Sequence, residues 1–145
     1  MSQYFKSYED FEKVFGLFVE ALATDKVIGP KLQKSGLIIK FIYTEPEGQV
    51  MFNFKDKPTK EGYFGDYSFD PNCPWKEDVW TKQTLDFSHR FWQGKENAVT
   101  ALPLRKITAG GNIIKLMSLI PFIRSTFKVY QNTLRANGYE NLVIK

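Results

Sequence analysis

Two side chains in this sequence, His89 and Cys73, have the reactivity that catalysis or metal binding would need. His89 falls on a predicted helix beside Leu85, Asp86 and Trp92, which do not make a Ser-His-Asp arrangement. Cys73 lies in a loop and would act as a nucleophile only if its thiol were activated. One His and one Cys cannot supply a zinc site without several carboxylates. We predict no catalytic residue and no metal site, and keep an enzyme using His89 or Cys73 as the least favoured hypothesis.

Glycine and charge patterns bear on two further classes of ligand. The sequence contains neither GxGxxG nor GxxxxGKS/T, so we predict no cofactor, and Gly110-Gly111 is typical of a turn. The 20 Lys and Arg are offset by 16 Asp and Glu to a net charge of +4, and the basic residues are scattered. Nucleic-acid binding needs a basic stripe that neutralises several phosphates, so we predict no nucleic-acid partner. A transient contact with an anionic membrane surface stays open.

The size of the chain and its single cysteine set the expected context. A length of 145 residues is typical of a single domain, here spanning residues 1–145. One cysteine allows no intrachain disulfide, which favours a reducing compartment. The N-terminus shows no signal-peptide pattern, and no stretch reaches the roughly 18 apolar residues of a membrane span. We therefore expect a cytoplasmic protein.

Hydrophobic periodicity and capping residues predict an α+β fold. The predicted helices span residues 8–23, a stretch ending near residue 34, residues 85–93, residues 96–102 and a C-terminal helix that begins after Asn112. The predicted strands span residues 37–43, 50–54, 63–69, 78–82 and 105–109. Short links between the first three strands are typical of an antiparallel meander.

The apolar residues exceed what a simple core of this pattern requires. Aromatic residues make up 16% of the chain, enough for an aromatic-rich core or for a core with rings left to line a pocket. Between Ile113 and Ile123, eight of eleven residues are large and apolar, a wider face than a helix lying on a sheet needs. Pro121 should kink this helix. The segment either is wrapped by its own domain or faces a ligand, a partner or a membrane surface.

The order of the predicted elements resembles the sterol carrier protein 2 domain family. The stretch Asp78–Gly94 is similar to the strand, helix and glycine unit of that family, and Ile107–Met117 is similar to its strand, glycine turn and helix entry. Two departures are Gly111, where an acidic residue often follows the glycine, and Pro103–Lys106, where the family commonly has a Gly- and Lys-rich strand start. The resemblance spans nearly the whole chain.

The resemblance implies a five-stranded, mainly antiparallel sheet covered by helices, with an apolar tunnel for sterols, fatty acids, acyl-CoA or isoprenoids and no catalytic residues. Our principal hypothesis is therefore non-catalytic binding or transfer of a lipid. Nine residues are predicted to form the wall of the cavity: Phe52, Phe54, Phe87, Phe91, Trp92, Ile113, Leu116, Met117 and Ile120. The alternative is an interaction or accessory module that uses the apolar C-terminal helix, for example to form a homodimer.

Overall fold

The computed structural model describes residues 2–145, which form an open sheet with helices packed against it. The five strands are β1 (Ile38–Thr44), β2 (Gly48–Asn53), β3 (Asp66–Ser68), β4 (Val79–Thr84) and β5 (Thr108–Gly111). The helices are α1 (Tyr8–Thr24), α2 (Ile28–Ser35), α3 (Leu85–Phe91), α4 (Ala98–Ala101), α5 (Ile113–Met117) and α6 (Ile120–Ala136), followed by a 3-10 turn at Glu140–Leu142. The predicted α+β class is confirmed.

The strand order β3-β2-β1-β4-β5 places the first strand in the middle of the sheet. Strands β1, β2 and β3 form the predicted antiparallel meander, and β5 is antiparallel to β4. Only the β1–β4 pair is parallel in the described part of the chain, with Phe41 opposite Thr81 and Tyr43 opposite Gln83. The prediction of a five-stranded, mainly antiparallel sheet is confirmed.

Helix α1 carries the aromatic face that fills much of the core. The Ser7 hydroxyl accepts a hydrogen bond from the Asp10 amide at 3.2 Å and so caps the helix where the sequence predicts. Phe11, Phe15 and Phe18, which follow at spacings of four and three, are fully buried. They pack edge-on or tilted against rings of the sheet and of α6, which fixes α1 over the sheet.

The fifth strand begins three residues later than predicted. The prediction placed it at residues 105–109 and took Gly110-Gly111 as a turn, whereas β5 runs through both glycines. A β-carbon at Gly110 would lie 2.5 Å from Nε1 of Trp80 on the neighbouring strand, and Gly111 has a φ of +81°. The glycines are therefore required for close approach of β5 to β4.

The C-terminal helix is broken, where the prediction was a single kinked helix. Helix α5 ends at Met117, and α6 starts at Ile120 with Pro121 in its first turn. Proline is tolerated in a first turn because the N–H that it lacks would have no helical partner there. The prediction of a kink at Pro121 is wrong, and the discontinuity lies at residues 118–119.

Candidate functional site

A cavity of about 500 Å³ lies between the helices and one face of the sheet. Its volume is within the roughly 300–1,000 Å³ range of small-molecule sites. The apolar lining comes from β1, from β5 with the residue before it, and from the segments of α3 to α6: Phe41, Phe87, Phe91, Trp92, Ala98, Val99, Leu102, Ile107, Ala109, Ile113, Leu116, Met117, Ile120, Ile123 and Phe127. Such a surface favours an apolar ligand.

The structure brings seven of the nine predicted wall residues to this one cavity. They are Phe87, Phe91, Trp92, Ile113, Leu116, Met117 and Ile120. They come from the predicted helix at residues 85–93 and from the segment Ile113–Ile123, whose apolar face is wider than a helix lying on a sheet needs. Their part in ligand binding stays a prediction.

Phe52 and Phe54, the two predicted sheet residues, lie elsewhere. Both are buried, and their rings stack on each other with centroids 5.6 Å apart. Phe52 also meets the edge of Phe41 at 5.6 Å. Because β2 lies on the far side of β1 from β4, the ring of Phe41 stands between β2 and the cavity. The sheet contributes to the lining from β1, β4 and β5.

The aromatic wall is held by contacts between α3 and α6. Phe91 stacks on Phe87 with centroids 6.2 Å apart and meets the edges of Trp92 at 5.1 Å and Phe127 at 6.3 Å. Phe127 is not among the nine wall residues predicted from the sequence. Its spacing of seven and four residues from Ile120 and Ile123 was the signal that it shares their face.

Gly94 follows α3, lines the cavity and lies close to Phe127 of α6. Its φ is +78°, and a β-carbon there would lie 2.9 Å from Cδ2 of Phe127. The predicted role of this glycine, closing the α3 segment, is confirmed in its backbone conformation. Its missing side chain also leaves the room that the Phe127 ring occupies.

Two polar atoms interrupt the apolar floor of the cavity. Thr81 and Gln83 line it from β4 and are only 4% and 6% exposed. Neither Thr81 Oγ1 nor Gln83 Oε1 has a hydrogen-bond partner among residues 2–145. An unpaired buried polar atom costs roughly 1–3 kcal/mol, so these two atoms need an explanation.

The rim of the cavity is basic. Lys95 and Arg124 line it and are exposed to solvent. Glu96, the acidic residue of the lining, is paired with Arg90 at 3.0 Å and lies 3.9 Å from the Lys106 ammonium. The carboxylate is thus neutralised by cations, which leaves the field at the rim positive.

Helix α5 forms part of the rim and is not wrapped by the domain. None of its side chains is buried, and Ile114 is 86% exposed. Val99 of α4, which also lines the cavity, is 55% exposed, and Met117 is 39% exposed. Of the alternatives left open by the sequence, full burial of the segment 113–117 is excluded.

His89 lies in the core and not in the cavity lining. Its Nε2–H donates to the Leu142 carbonyl at 2.8 Å, and its Nδ1 accepts from the Tyr130 hydroxyl at 2.7 Å. Burial is the main cause that lowers the pKa of His89 to about 4. The imidazole is therefore neutral at physiological pH and ties α3 to α6 and to the C-terminal segment.

The remaining chemistry-bearing residues do not gather at the cavity. Cys73 is half-buried and lines a second, smaller hollow beside β3, together with Tyr63, Tyr67 and Trp75. Across residues 2–145, no three His, Cys, Asp or Glu side chains come close enough to hold a metal ion. Over the same residues, no helix has the length and apolar character needed to span a membrane.

The fold matches solved sterol carrier protein structures. Sterol carrier protein 2 from Yarrowia lipolytica, in its apo form, aligns with a TM-score of 0.54 and 17% sequence identity over 83% of this chain and 88% of that chain. The solution structure of sterol carrier protein domain 2 from Helicoverpa armigera aligns with a TM-score of 0.61 and 22% identity over 81% and 87%. No protein-family model and no curated protein sequence matches the chain. The resemblance drawn from the sequence is confirmed at the level of the fold.

Proposed function

We propose, from the sterol carrier protein 2 fold together with the apolar cavity, that residues 1–145 form a single domain that binds or transfers a lipid without chemical change. The candidate ligands are a fatty acid, an acyl-CoA, a sterol or an isoprenoid. The observation that carries this proposal is the cavity of about 500 Å³, whose walls are mostly aliphatic and aromatic side chains. The fold neighbours, which are named as sterol carriers, support it.

The energetics of burial are sufficient for such a ligand. Each methylene that leaves water contributes about 0.8 kcal/mol, so a long acyl chain contributes on the order of 10 kcal/mol. Loss of translational freedom and ordering cost roughly 4–15 kcal/mol. A measurable affinity therefore requires that most of the chain be enclosed, which a cavity reaching from β4 to the rim allows.

Binding without catalysis is the form that the lining supports. Among the described residues, the cavity wall includes neither His nor Cys, and its acidic residue Glu96 is paired with Arg90. His89 is held in a structural hydrogen-bond network. These placements leave no evident nucleophile or general base beside a bound ligand.

The decisive experiment is uptake of a fluorescent fatty acid by the purified protein and by a cavity-filling variant. Ala109 lies half-buried on β5 in the lining, so Ala109→Phe should occupy the cavity and reduce the affinity by at least about tenfold, equivalent to about 1.4 kcal/mol. Ala136→Phe, at an exposed position at the end of α6, is the matched control and should bind as the wild type.

Thermal unfolding of both variants separates loss of binding from loss of folding. Absence of uptake by the wild type, together with mass spectra that show no co-purified lipid, would contradict the proposed function. Equal binding by Ala109→Phe and the wild type would place the ligand outside this cavity.

We also propose that the rim meets an anionic lipid surface when the ligand enters or leaves. Val99 is an exposed apolar side chain of the cavity lining, and the exposed Ile114 lies on α5, the helix that contributes Leu116 and Met117 to the lining. The cations Lys95 and Arg124 line the same cavity. Apolar side chains flanked by cations are typical of peripheral membrane contacts. A partner protein or a second copy of the chain is the alternative occupant of this surface.

The single cysteine supports a cytoplasmic location.

A further inference from the structure

The floor of the cavity holds a pair of polar groups that the protein itself leaves unpaired. Thr81 and Gln83 are two residues apart on β4, so their side chains project from the same face of the sheet. Both line the cavity, and both are more than nine-tenths buried. Among residues 2–145, Oγ1 of Thr81 and Oε1 of Gln83 have no hydrogen-bond partner.

The side chains opposite Thr81 and Gln83 on the neighbouring strands form no hydrogen bond with them. Thr81 lies opposite Phe41 on β1 and opposite Ala109 on β5, and neither side chain can form a hydrogen bond. Tyr43 lies opposite Gln83, but its hydroxyl accepts from the Ser88 hydroxyl at 3.5 Å and forms no hydrogen bond with Gln83 Oε1. A group inside the cavity can therefore reach the pair where the protein's own side chains do not.

Other buried polar side chains of the core, in contrast, have hydrogen-bond partners. The hydroxyl of Thr126, which is also buried, donates to the Ile123 carbonyl at 2.6 Å. The amide of Gln93 bonds to the backbone of Leu142 and Ile144. The lack of partners is thus confined, in the described residues, to the two side chains that face the cavity.

We propose that Thr81 and Gln83 form a polar subsite that binds an uncharged hydroxyl group of the lipid. This inference rests on the proposed lipid-binding function. Gln83 Oε1 only accepts hydrogen bonds, so its partner must donate, and the Thr81 hydroxyl can donate in return. A hydroxyl is the smallest group that does both. The ligand then lies with its hydroxyl on β4 and its apolar part against α3, α5 and α6.

A carboxylate fits this subsite poorly. It donates no hydrogen bond, and burial of its charge is costly without a cation. The lining cations Lys95 and Arg124 are exposed at the rim, whereas Thr81 and Gln83 are buried. An anionic head group is therefore expected at the rim and a hydroxyl at the floor.

The test compares ligands that share a chain and differ at one group. Dodecanol, dodecyl methyl ether and dodecanoate are each used to displace a fluorescent fatty acid from the protein. We expect dodecanol to bind about tenfold more tightly than its ether, because the ether cannot donate to Gln83. Cholesterol and its methyl ether form a second pair, and whichever pair shows the preference identifies a linear or a ring lipid.

Substitutions of Thr81 and Gln83 test whether these two residues bind the hydroxyl group of the ligand. Gln83→Leu should reduce the preference for the alcohol over the ether to about twofold or less, with little change in the affinity of the ether. Thr81→Val should weaken the binding of the alcohol and of the ether alike by about tenfold, because the oxygen of either ligand accepts from the Thr81 hydroxyl. Thr126→Val is the matched control, since it removes a buried hydroxyl that does not line the cavity. It should leave the preference as in the wild type.

The outcomes separate this inference from the function on which it rests. If the wild type binds alcohol and ether equally in both pairs, if Gln83→Leu keeps the full preference, or if Thr81→Val binds both ligands as tightly as the wild type, the subsite is wrong while lipid binding stands. If the wild type displaces no probe with any of these ligands and takes up no fluorescent fatty acid, both proposals are wrong.

Discussion

At the scale of single residues, His89 shows how burial fixes the charge state of a side chain. Its ring is fully buried, and Phe5 meets it edge-on at 5.2 Å. Burial lowers its pKa from 6.5 to about 4, against the opposing effect of the Leu142 carbonyl. The folded protein therefore takes up a proton on this ring less readily than the unfolded chain does.

We expect the free energy of unfolding to fall as the pH drops from 6.5 towards 4. In this range the unfolded chain gains a proton on His89 and the folded protein does not, so stability is full above 6.5 and decreases by on the order of 3 kcal/mol. Urea unfolding at a series of pH values measures this change.

The variant His89→Gln provides the control, since its side chain does not titrate. The carboxylates contribute to both proteins, so the difference between their pH profiles reports His89 alone. Parallel profiles of wild type and variant over this range would contradict the predicted pKa shift.

At the scale of elements, the contact between α3 and α6 depends on Gly94. A side chain there would both strain the backbone, whose φ is +78°, and meet the ring of Phe127 at 2.9 Å. Gly138 has a similar φ of +83°, but a β-carbon added there would meet nothing within 4 Å. A substitution at Gly138 therefore strains the backbone without producing a steric contact.

We expect Gly94→Ala to destabilise the protein more than Gly138→Ala. The backbone strain costs roughly 1–2 kcal/mol at each position, and the contact with Phe127 adds to it at Gly94 alone. In a Phe127→Ala background the extra cost should disappear, as a double-mutant cycle in denaturant unfolding would show. Equal costs of both glycine substitutions would mean that Phe127 moves aside freely.

The elements that could be predicted from the sequence are those with local signals. Helix α1 has a capping serine and a periodic apolar face, and a short turn separates β1 from β2, so the places of these elements follow from nearby residues. The start of β5 could not be found in this way. Gly110 is required because the Trp80 side chain, on another strand and thirty residues earlier in the sequence, leaves no room for a β-carbon there. The break before α6 likewise depends on how α5 and α6 pack, and not on Pro121 alone.

At the scale of the whole molecule, the cavity was predictable from its helices and not from its sheet. The aromatic content of the chain and the wide apolar face of the segment Ile113–Ile123 led to the prediction of a cavity wall, and seven of its nine residues, all on helical segments, line the cavity. The strand order that puts β4 beside β1, and β2 on the other side, is a long-range property that no local pattern encodes. Phe52 and Phe54 therefore lie across Phe41 from the cavity, a position that depends on this strand order.

The exposed residues around the opening of the cavity are proposed to contact a lipid surface. Ile114→Glu should weaken binding to vesicles of phosphatidylcholine with phosphatidylserine by about tenfold, because burial of an isoleucine contributes about 1.5–3 kcal/mol and a carboxylate repels anionic lipid. Val27→Glu is the matched control, since Val27 is 68% exposed and precedes α2, a helix that contributes no residue to the lining. Vesicle sedimentation measures both.

Equal loss of vesicle binding in the two variants would show a general charge effect and contradict a role for the rim. A concentration-dependent mass in light scattering that Ile114→Glu abolishes, without vesicle binding by the wild type, would instead assign this surface to a second copy of the chain.

The separation of α5 from α6 has a kinetic consequence. Helix α5 has five residues, no buried side chain, a glycine pair before it and a break after it, so it can unfold locally at little cost while α6 stays packed through Tyr130 and Leu134. Its amide protons should exchange with deuterated water much faster than those of the second half of α6, and a ligand that touches Leu116 should slow them. Exchange that is equally slow in both helices without ligand would mean that passage into the cavity requires some other opening.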